Sequence, residues 1–240
     1  VTQYGQMTAG SYMYIGPQGI VHGTTITLMN AARKFCKGNL EGKIFVTAGL
    51  GGMSGAQPKA ASIAGMVSIT AEINETAALK RYNQGWVDEI HYDVNDAILS
   101  ASKSHSEKGN KSIAFIGNIV DLWEAVIQNN LNVDLGSDQT SLHNPWAGGY
   151  YPQGYSYKEA NDLMVSDPKK FKKEVESTLK KHKFLAKLIY LLLLLKLFVI
   201  ACKYLALKSN FLISNKRLFL IFPVILCTPW LTFLTNVTLL

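Results

Sequence analysis

From Lys43 to Leu135 the apolar positions alternate between two patterns. Short runs rich in β-branched and aromatic residues occur at 44–46, 67–72, 86–90, 113–117 and 133–135, and each reads as a buried strand. Between them lie stretches with helical spacing at 56–66, 76–82, 93–104 and 119–129. In the third of these, Val94, Ala97, Ile98 and Ala101 share one face. Pro58 is compatible with the first helix only in its opening turn, where a missing N–H costs nothing. Strands and helices alternating at this spacing predict right-handed βαβ units and a parallel sheet, the doubly wound α/β class.

The rest of the chain is patterned differently. Residues 102–111 are rich in lysine and serine and read as a loop overlapping a frayed helix end, and 138–155 form a long polar, aromatic, glycine-containing loop. Ser156 with Glu159 is a capping box that opens a helix, and Asp167-Pro168 starts the next one. No internal repeat is present. After Glu176 there is no acidic residue, and after Gly154 no glycine.

Charge follows the same division. The net charge is +7, but residues 1–183 hold 18 basic and 17 acidic side chains, whereas 184–240 hold six basic and none acidic. A nucleic-acid partner needs a basic surface on the folded domain, and this body is nearly neutral. The tail supports two readings. Residues 218–240 are uncharged and about the ~20 residues long that a membrane span requires, although Pro223 and Pro229 would kink it. Lys196 interrupts the preceding leucine-rich stretch, and a lysine near a bilayer centre costs roughly 2.5–3.5 kcal/mol. Translation of an unspliced AT-rich stretch gives the same composition, so a membrane-associated tail and a gene-model artefact both stand. Cys36, Cys202 and Cys227 have no paired spacing, which predicts a reduced intracellular compartment without disulfides or a zinc site. A start at Val1, with no signal-peptide pattern, predicts a fragment of something longer.

Four glycines fall within Gly49-Leu50-Gly51-Gly52-Met53-Ser54-Gly55, directly after the first strand and before the first helix of the alternating region. Glycines at such a turn permit positive φ and let a phosphate approach backbone N–H groups at a helix N-terminus. The pattern G-x-G-G-x-S-G departs from the dinucleotide fingerprint, because Ser54 takes the third glycine position. Glu72 ends the second strand about 20 residues later, where an acidic side chain meets the adenosine ribose and favours NAD over NADP. A structural turn without a ligand, with a solvated carboxylate beside it, fits the same residues. Asn118 follows the fourth strand and is an N-cap by default. His143 lies in the loop after the fifth strand, while His22, His91 and His105 have no recognisable partners. Cys36, flanked by lysines, has no evident base and reads as inert.

The runs YGQMTAGSYMYIGPQGIVHGT (4–24), TAGLGGMSGAQPKAA (47–61) and DLGSDQTSLHNPWAGGYYP (134–152) closely resemble the urocanase family, and the resemblance extends to about residue 182. It implies a cytosolic, homodimeric lyase of histidine breakdown that adds water to trans-urocanate to give imidazolone propionate. NAD⁺ would serve there as an electrophile and not as a hydride carrier. By motif, the NAD contacts would be Gln6; Gly52, Met53 and Ser54; Glu72 and Ala77; Asn118 and Ile119; Gln139, Thr140, Ser141, Leu142 and His143; and Tyr150 and Tyr151. The family's upstream glycine pair and downstream catalytic cysteine have no counterpart in this chain, and no catalytic residue is assigned. The expected organisation is an N-terminal segment of the family core (1–42), a Rossmann-like NAD-binding domain (43–155), a helical extension (156–183) and the apolar tail (184–240), inactive alone. Two rivals remain: a non-catalytic dinucleotide-binding module tethered to a membrane by its tail, and a hydride-transferring dehydrogenase.

Overall fold

A computed structural model describes residues 16–137 and 144–188. The chain enters through α1 (Gly16–Phe35) and then alternates β1 (Ile44–Ala48), α2 (Gln57–Ile63), β2 (Val67–Glu72), α3 (Glu75–Asn83), β3 (Glu89–His91), α4 (Val94–Ser106), β4 (Ser112–Ile116), α5 (Ile119–Gln128) and β5 (Leu135–Gly136). Two further helices follow, α6 (Tyr157–Ser166) and α7 (168–188). All strand pairs are parallel, in the order β3-β4-β2-β1-β5. The expected doubly wound architecture is therefore present.

Several local features follow from single residues. Pro58 lies in the first turn of α2, which starts one residue after a 3₁₀ turn at Ser54–Ala56. The capping box forms in full at Ser156 and Glu159. Asp167 accepts the Lys170 N–H at 3.0 Å and opens α7 with Pro168 beside it. The third strand is displaced from its expected 86–90 to Glu89–His91. Trp86 N–H instead closes the end of α3 on the Arg81 carbonyl, and Asp88 N–H bonds Ser112 O at 2.8 Å just ahead of the ladder.

The strand order decides where the helices lie. Right-handed crossovers from β1 to β2 and from β2 to β3 move in one direction along the sheet and put α2 and α3 on one face. The crossovers β3 to β4 and β4 to β5 move back and put α4 and α5 on the other. α1 packs on α2, and α4 on α5, as this requires. Neighbouring strands β2 and β4 therefore send their chains to opposite faces, opening a crevice at their carboxyl ends.

Register places Phe45, Thr47, Ser68, Thr70, Ser112 and Ala114 on the α2/α3 face, since parallel partners share a side. These are mostly small, so α2 approaches closely: Ser112 Oγ donates to Pro58 O at 3.1 Å. Larger residues fill the ends of the layer. Leu28 and Ala32 of α1 pack with Leu40, Phe45, Ala61 and Met66, while Leu50, Ala78, Val87 and Ala114 form a second cluster under α3. Each large apolar side chain buried in these clusters contributes about 1.5–3 kcal/mol. Along α7, Phe171, Val175, Thr178 and Leu185 are buried on one stripe. Phe171 and Val175 enclose Tyr150 and Ala160.

Ser68 and Thr70 are fully buried, and their hydroxyls have no hydrogen-bond partner. A buried unsatisfied polar group costs about 1–3 kcal/mol. Thr70→Val keeps the shape and removes the hydroxyl, so it should raise stability by about 1 kcal/mol, measured as a higher urea midpoint. A lower midpoint would show that the hydroxyl is satisfied in solution.

Candidate functional site

The crevice between β2 and β4 contains a cavity of about 260 Å³. Its walls are the end of β1 and its turn (Ala48, Gly49, Gly51, Ser54), the end of β2 (Ala71, Glu72, Ile73), the β4–α5 junction (Gly117, Asn118, Ile119) and the loop Gly148–Tyr151. Backbone groups and small side chains dominate, which is what a site gripping a ligand by main-chain contacts requires.

The glycine turn is held from two sides. On one, Leu50 N–H donates to Glu72 Oε2 at 2.5 Å, while Asn74 N–H donates to Oε1 at 2.9 Å. Burial pushes the Glu72 carboxyl above the ordinary glutamate range, and N–H donors at Asn74, Leu50 and Ile73 offset part of that rise. On the other side, Arg81 of α3 donates from Nε to Leu50 O at 3.0 Å and from Nη2 to Gly51 O at 2.5 Å. Inside the turn, Gly51 N–H donates to Ser54 Oγ at 3.1 Å.

Two of the four glycines are explained by this internal packing. Gly49 has φ +90°, and a Cβ there would lie 2.7 Å from Ser54 Oγ. A Cβ on Gly55 would overlap the Arg81 guanidinium. Gly52, by contrast, faces open space. The Ser54 that departs from the usual fingerprint thus serves the turn as an internal hydrogen-bond acceptor, in room that Gly49 leaves.

Asn118 joins two walls of the cavity. Its Oδ1 accepts the Val120 N–H at 2.9 Å, capping α5, and its Nδ2 donates to Tyr151 O at 2.8 Å. The default N-cap role is present, with a second role added. Tyr151 OH donates to Asn161 Oδ1 at 3.3 Å. Burial first, then its neighbour Tyr157, push the Tyr151 hydroxyl up to about 12, so it remains a donor at neutral pH. Tyr150 turns inward: its hydroxyl lies 3.1 Å from His182 Nδ1, and its ring is buried against α6 and α7.

The residues singled out in the sequence divide accordingly. Ser54, Glu72, Asn118, Ile119, Tyr150 and Tyr151 line the cavity. Gly52 and Met53 are exposed at the tip of the turn, off the cavity wall, and Ala77 packs against the cluster beneath Leu50. Gln6, Gln139, Thr140, Ser141, Leu142 and His143 lie outside the described residues, as do Cys202, Cys227 and the tail from 189 onward. Arg81, Gly117 and Gly148–Gly149 were not anticipated. No local pattern marks Arg81, whose partners in the turn, Leu50 and Gly51, lie far back in the chain.

Two histidines expected to lack partners have them. His91 Nε2 is 3.2 Å from Glu89 Oε2, and His105 Nδ1 is 2.6 Å from Gly42 O. Glu89 is drawn down to about 2, because bonds from Lys111, Ser100 and His91 outweigh the upward push of burial. Cys36 is half-buried beside the α1–β1 cluster, and its thiol is pushed up by burial and then by Asp134, against Lys43. That disfavours a reactive thiolate. Among the described residues, no group of three or more His, Cys, Asp or Glu could hold a metal ion, and no helix is long and apolar enough to cross a membrane.

Comparison with known proteins converges on one family. A family model described as the urocanase Rossmann-like domain matches residues 16–189. A probable urocanate hydratase of Caenorhabditis elegans is 57% identical over 180 residues, which is 75% of this chain and 27% of that protein. A probable urocanate hydratase of Dictyostelium discoideum is 58% identical over 184 residues, covering 76% and 27%. The urocanate hydratase of Mus musculus is 51% identical over 188 residues, covering 76% and 28%. The chain thus spans little more than a quarter of the length of these relatives.

Asn118 permits a test that separates its two bonds. Asn118→Ala removes the cap and the tie to Tyr151 and should cost about 2 kcal/mol. Asn118→Asp keeps the cap but cannot donate to Tyr151 O. Its carboxylate would repel that carbonyl, so it should speed amide hydrogen exchange at Gly149–Tyr151 while the α5 cap is kept. Equal exchange in Asn118→Asp and the unmodified chain would show that the loop does not depend on this bond.

Proposed function

We propose, for a chain that belongs to the urocanase family, that the β2–β4 crevice binds NAD⁺ and that the chain is the dinucleotide-binding portion of a urocanate hydratase. The observation that carries this reading is Glu72. It is a half-buried carboxylate at the end of the second strand, lining the same cavity as the glycine turn. Its two oxygens accept the N–H groups of Leu50 and Asn74, and a carboxylate has lone pairs beyond these with which to accept a ribose hydroxyl. A carboxylate in this position repels a 2′-phosphate, which supports NAD over NADP.

The donor set fits a dinucleotide in its other parts. Gly117 lines the cavity with backbone alone, and a Cβ there would overlap the Phe115 ring. The cavity falls below the roughly 300–1,000 Å³ usual for whole small-molecule sites, so these walls hold part of such a ligand. When bound, NAD⁺ supplies an electron-poor nicotinamide ring, which makes urocanate open to attack by water. The chain's own residues bind and orient. Glu72 holds the adenosine ribose, the glycine turn faces the diphosphate with backbone N–H groups, and Asn118 fixes the Gly148–Tyr151 loop at the opposite wall. Urocanate as substrate, a homodimeric assembly and a cytosolic location belong to the same proposal. So does the absence of turnover from this portion by itself.

Calorimetry with the full 240-residue chain tests the reading. NAD⁺ should bind more tightly than NADP⁺, and Glu72→Ala should weaken NAD⁺ by about tenfold. The bond to ribose needs the ionised carboxylate. Lowering the pH should therefore weaken NAD⁺ binding at a pH above the ordinary glutamate range, because the Glu72 pKa is raised. Glu72→Gln should flatten that dependence. An unchanged affinity in Glu72→Ala would remove Glu72 from the ribose.

A further inference from the structure

We infer that Arg81 is a positioning residue for diphosphate recognition, acting through the glycine turn without touching the ligand; this rests on the dinucleotide reading above. Arg81 is only 6% exposed, so its charge is committed to the interior. Nε and Nη2 grip two successive carbonyls of the turn, at Leu50 and Gly51, while Nη1 donates to Gln84 Oε1 at 2.7 Å. The guanidinium lies 5.3 Å from the centre of the Trp86 ring, a cation–π distance that fixes its plane.

The consequence is set by peptide geometry. In a trans peptide the N–H points opposite to the carbonyl. With the Leu50 and Gly51 carbonyls turned toward Arg81, the Gly51 and Gly52 N–H groups must turn away from it. Gly51 N–H reaches Ser54 Oγ, and Gly52 sits where nothing crowds it. Gly51 N–H is taken up by Ser54 Oγ, so Gly52 N–H, at the exposed rim of the turn, is the donor this arrangement offers an anion. A cation on the carbonyl side also polarises both peptides, adding positive character at their N–H ends. Arginine suits this and lysine does not, because two carbonyls must be held by a planar fork.

Gly55 is the other half of the device. It leaves the space the guanidinium fills, since a Cβ there would overlap Nε. Gly55→Ala should therefore displace Arg81 from the turn while leaving its charge in the protein.

The test compares ADP and adenosine on the full chain, by calorimetry for the first and ligand-observed NMR for the second. They share the ribose and base but differ in the diphosphate. Arg81→Gln and Arg81→Lys should each weaken ADP by about tenfold or more and leave adenosine unchanged. A merely structural role would weaken both together. Where Arg81→Gln does not fold, as judged by circular dichroism, Arg81→Lys and Gly55→Ala carry the test, with the same loss of ADP preference expected. Native ADP preference in any folded variant of the three, or a parallel loss of both ligands, overturns the inference. No binding of ADP or NAD⁺ by the unmodified chain overturns the dinucleotide reading itself, and this inference with it.

Discussion

The turn between β1 and α2 is held between opposite charges. The Glu72 carboxylate takes the N–H of Leu50, and the Arg81 guanidinium takes the carbonyls of Leu50 and Gly51. Arg81 is buried where an unpaired charge would be costly and Glu72 is half-buried at the cavity, and each is satisfied in part by the turn itself. The turn is therefore tied to the end of β2 through the Leu50 N–H and, by separate bonds, to helix α3 through the Leu50 and Gly51 carbonyls. Leu50, packed with Ala78, Val87 and Ala114, supplies the apolar anchor beneath it. Distorting the turn would leave the buried Arg81 guanidinium short of partners.

From that turn the cavity is completed by one polar side chain and one loop. Asn118 caps α5 and holds Tyr151, while Tyr150 roots the same loop among Ala160, Phe171 and Val175. Farther along, Gln153 donates to Asp121 and Glu124, and Lys181 bonds both Gln153 and Glu124. The helices after the sheet thus brace one wall of the crevice. This is a structural reason why the family model extends to residue 189 and not only to the last strand.

The alternating core was legible in the sequence because period and punctuation agreed there. The runs at 44–46, 67–72 and 113–117, the caps at Asn118 and Ser156, and Pro58 each reflect local chemistry acting on neighbours in the chain. What escaped depends on tertiary contacts. Helix α1 carries Pro17, three glycines and three threonines, poor helix formers, and packing of Leu28 and Ala32 against Phe45 and Met66 overrides that composition. The fifth strand, expected at 133–135, is shortened and shifted to Leu135–Gly136, with bounds set by its pairing with β1. Glu72 was visible as a carboxylate at a strand end, but not as a partner of the turn, and Arg81 on a short polar helix gave no sign of being buried. Of the two readings of the glycine cluster, ligand approach and a structural turn, Gly49 and Gly55 answer to the second, through Ser54 and Arg81.

The strand order also has a consequence for the time course of synthesis. β1 lies inside the sheet, with β2 on one side and β5 on the other, and its Ile44 N–H is bonded to Asp134, 90 positions later. At about 5–20 residues per second on the ribosome, the β5 side of β1 stays unpaired for roughly 5–20 s after its own residues are made. During that interval a strand of five buried residues presents a free hydrogen-bonding edge. The pairing of β1 with β5 is thus among the last in the sheet that the growing chain can complete.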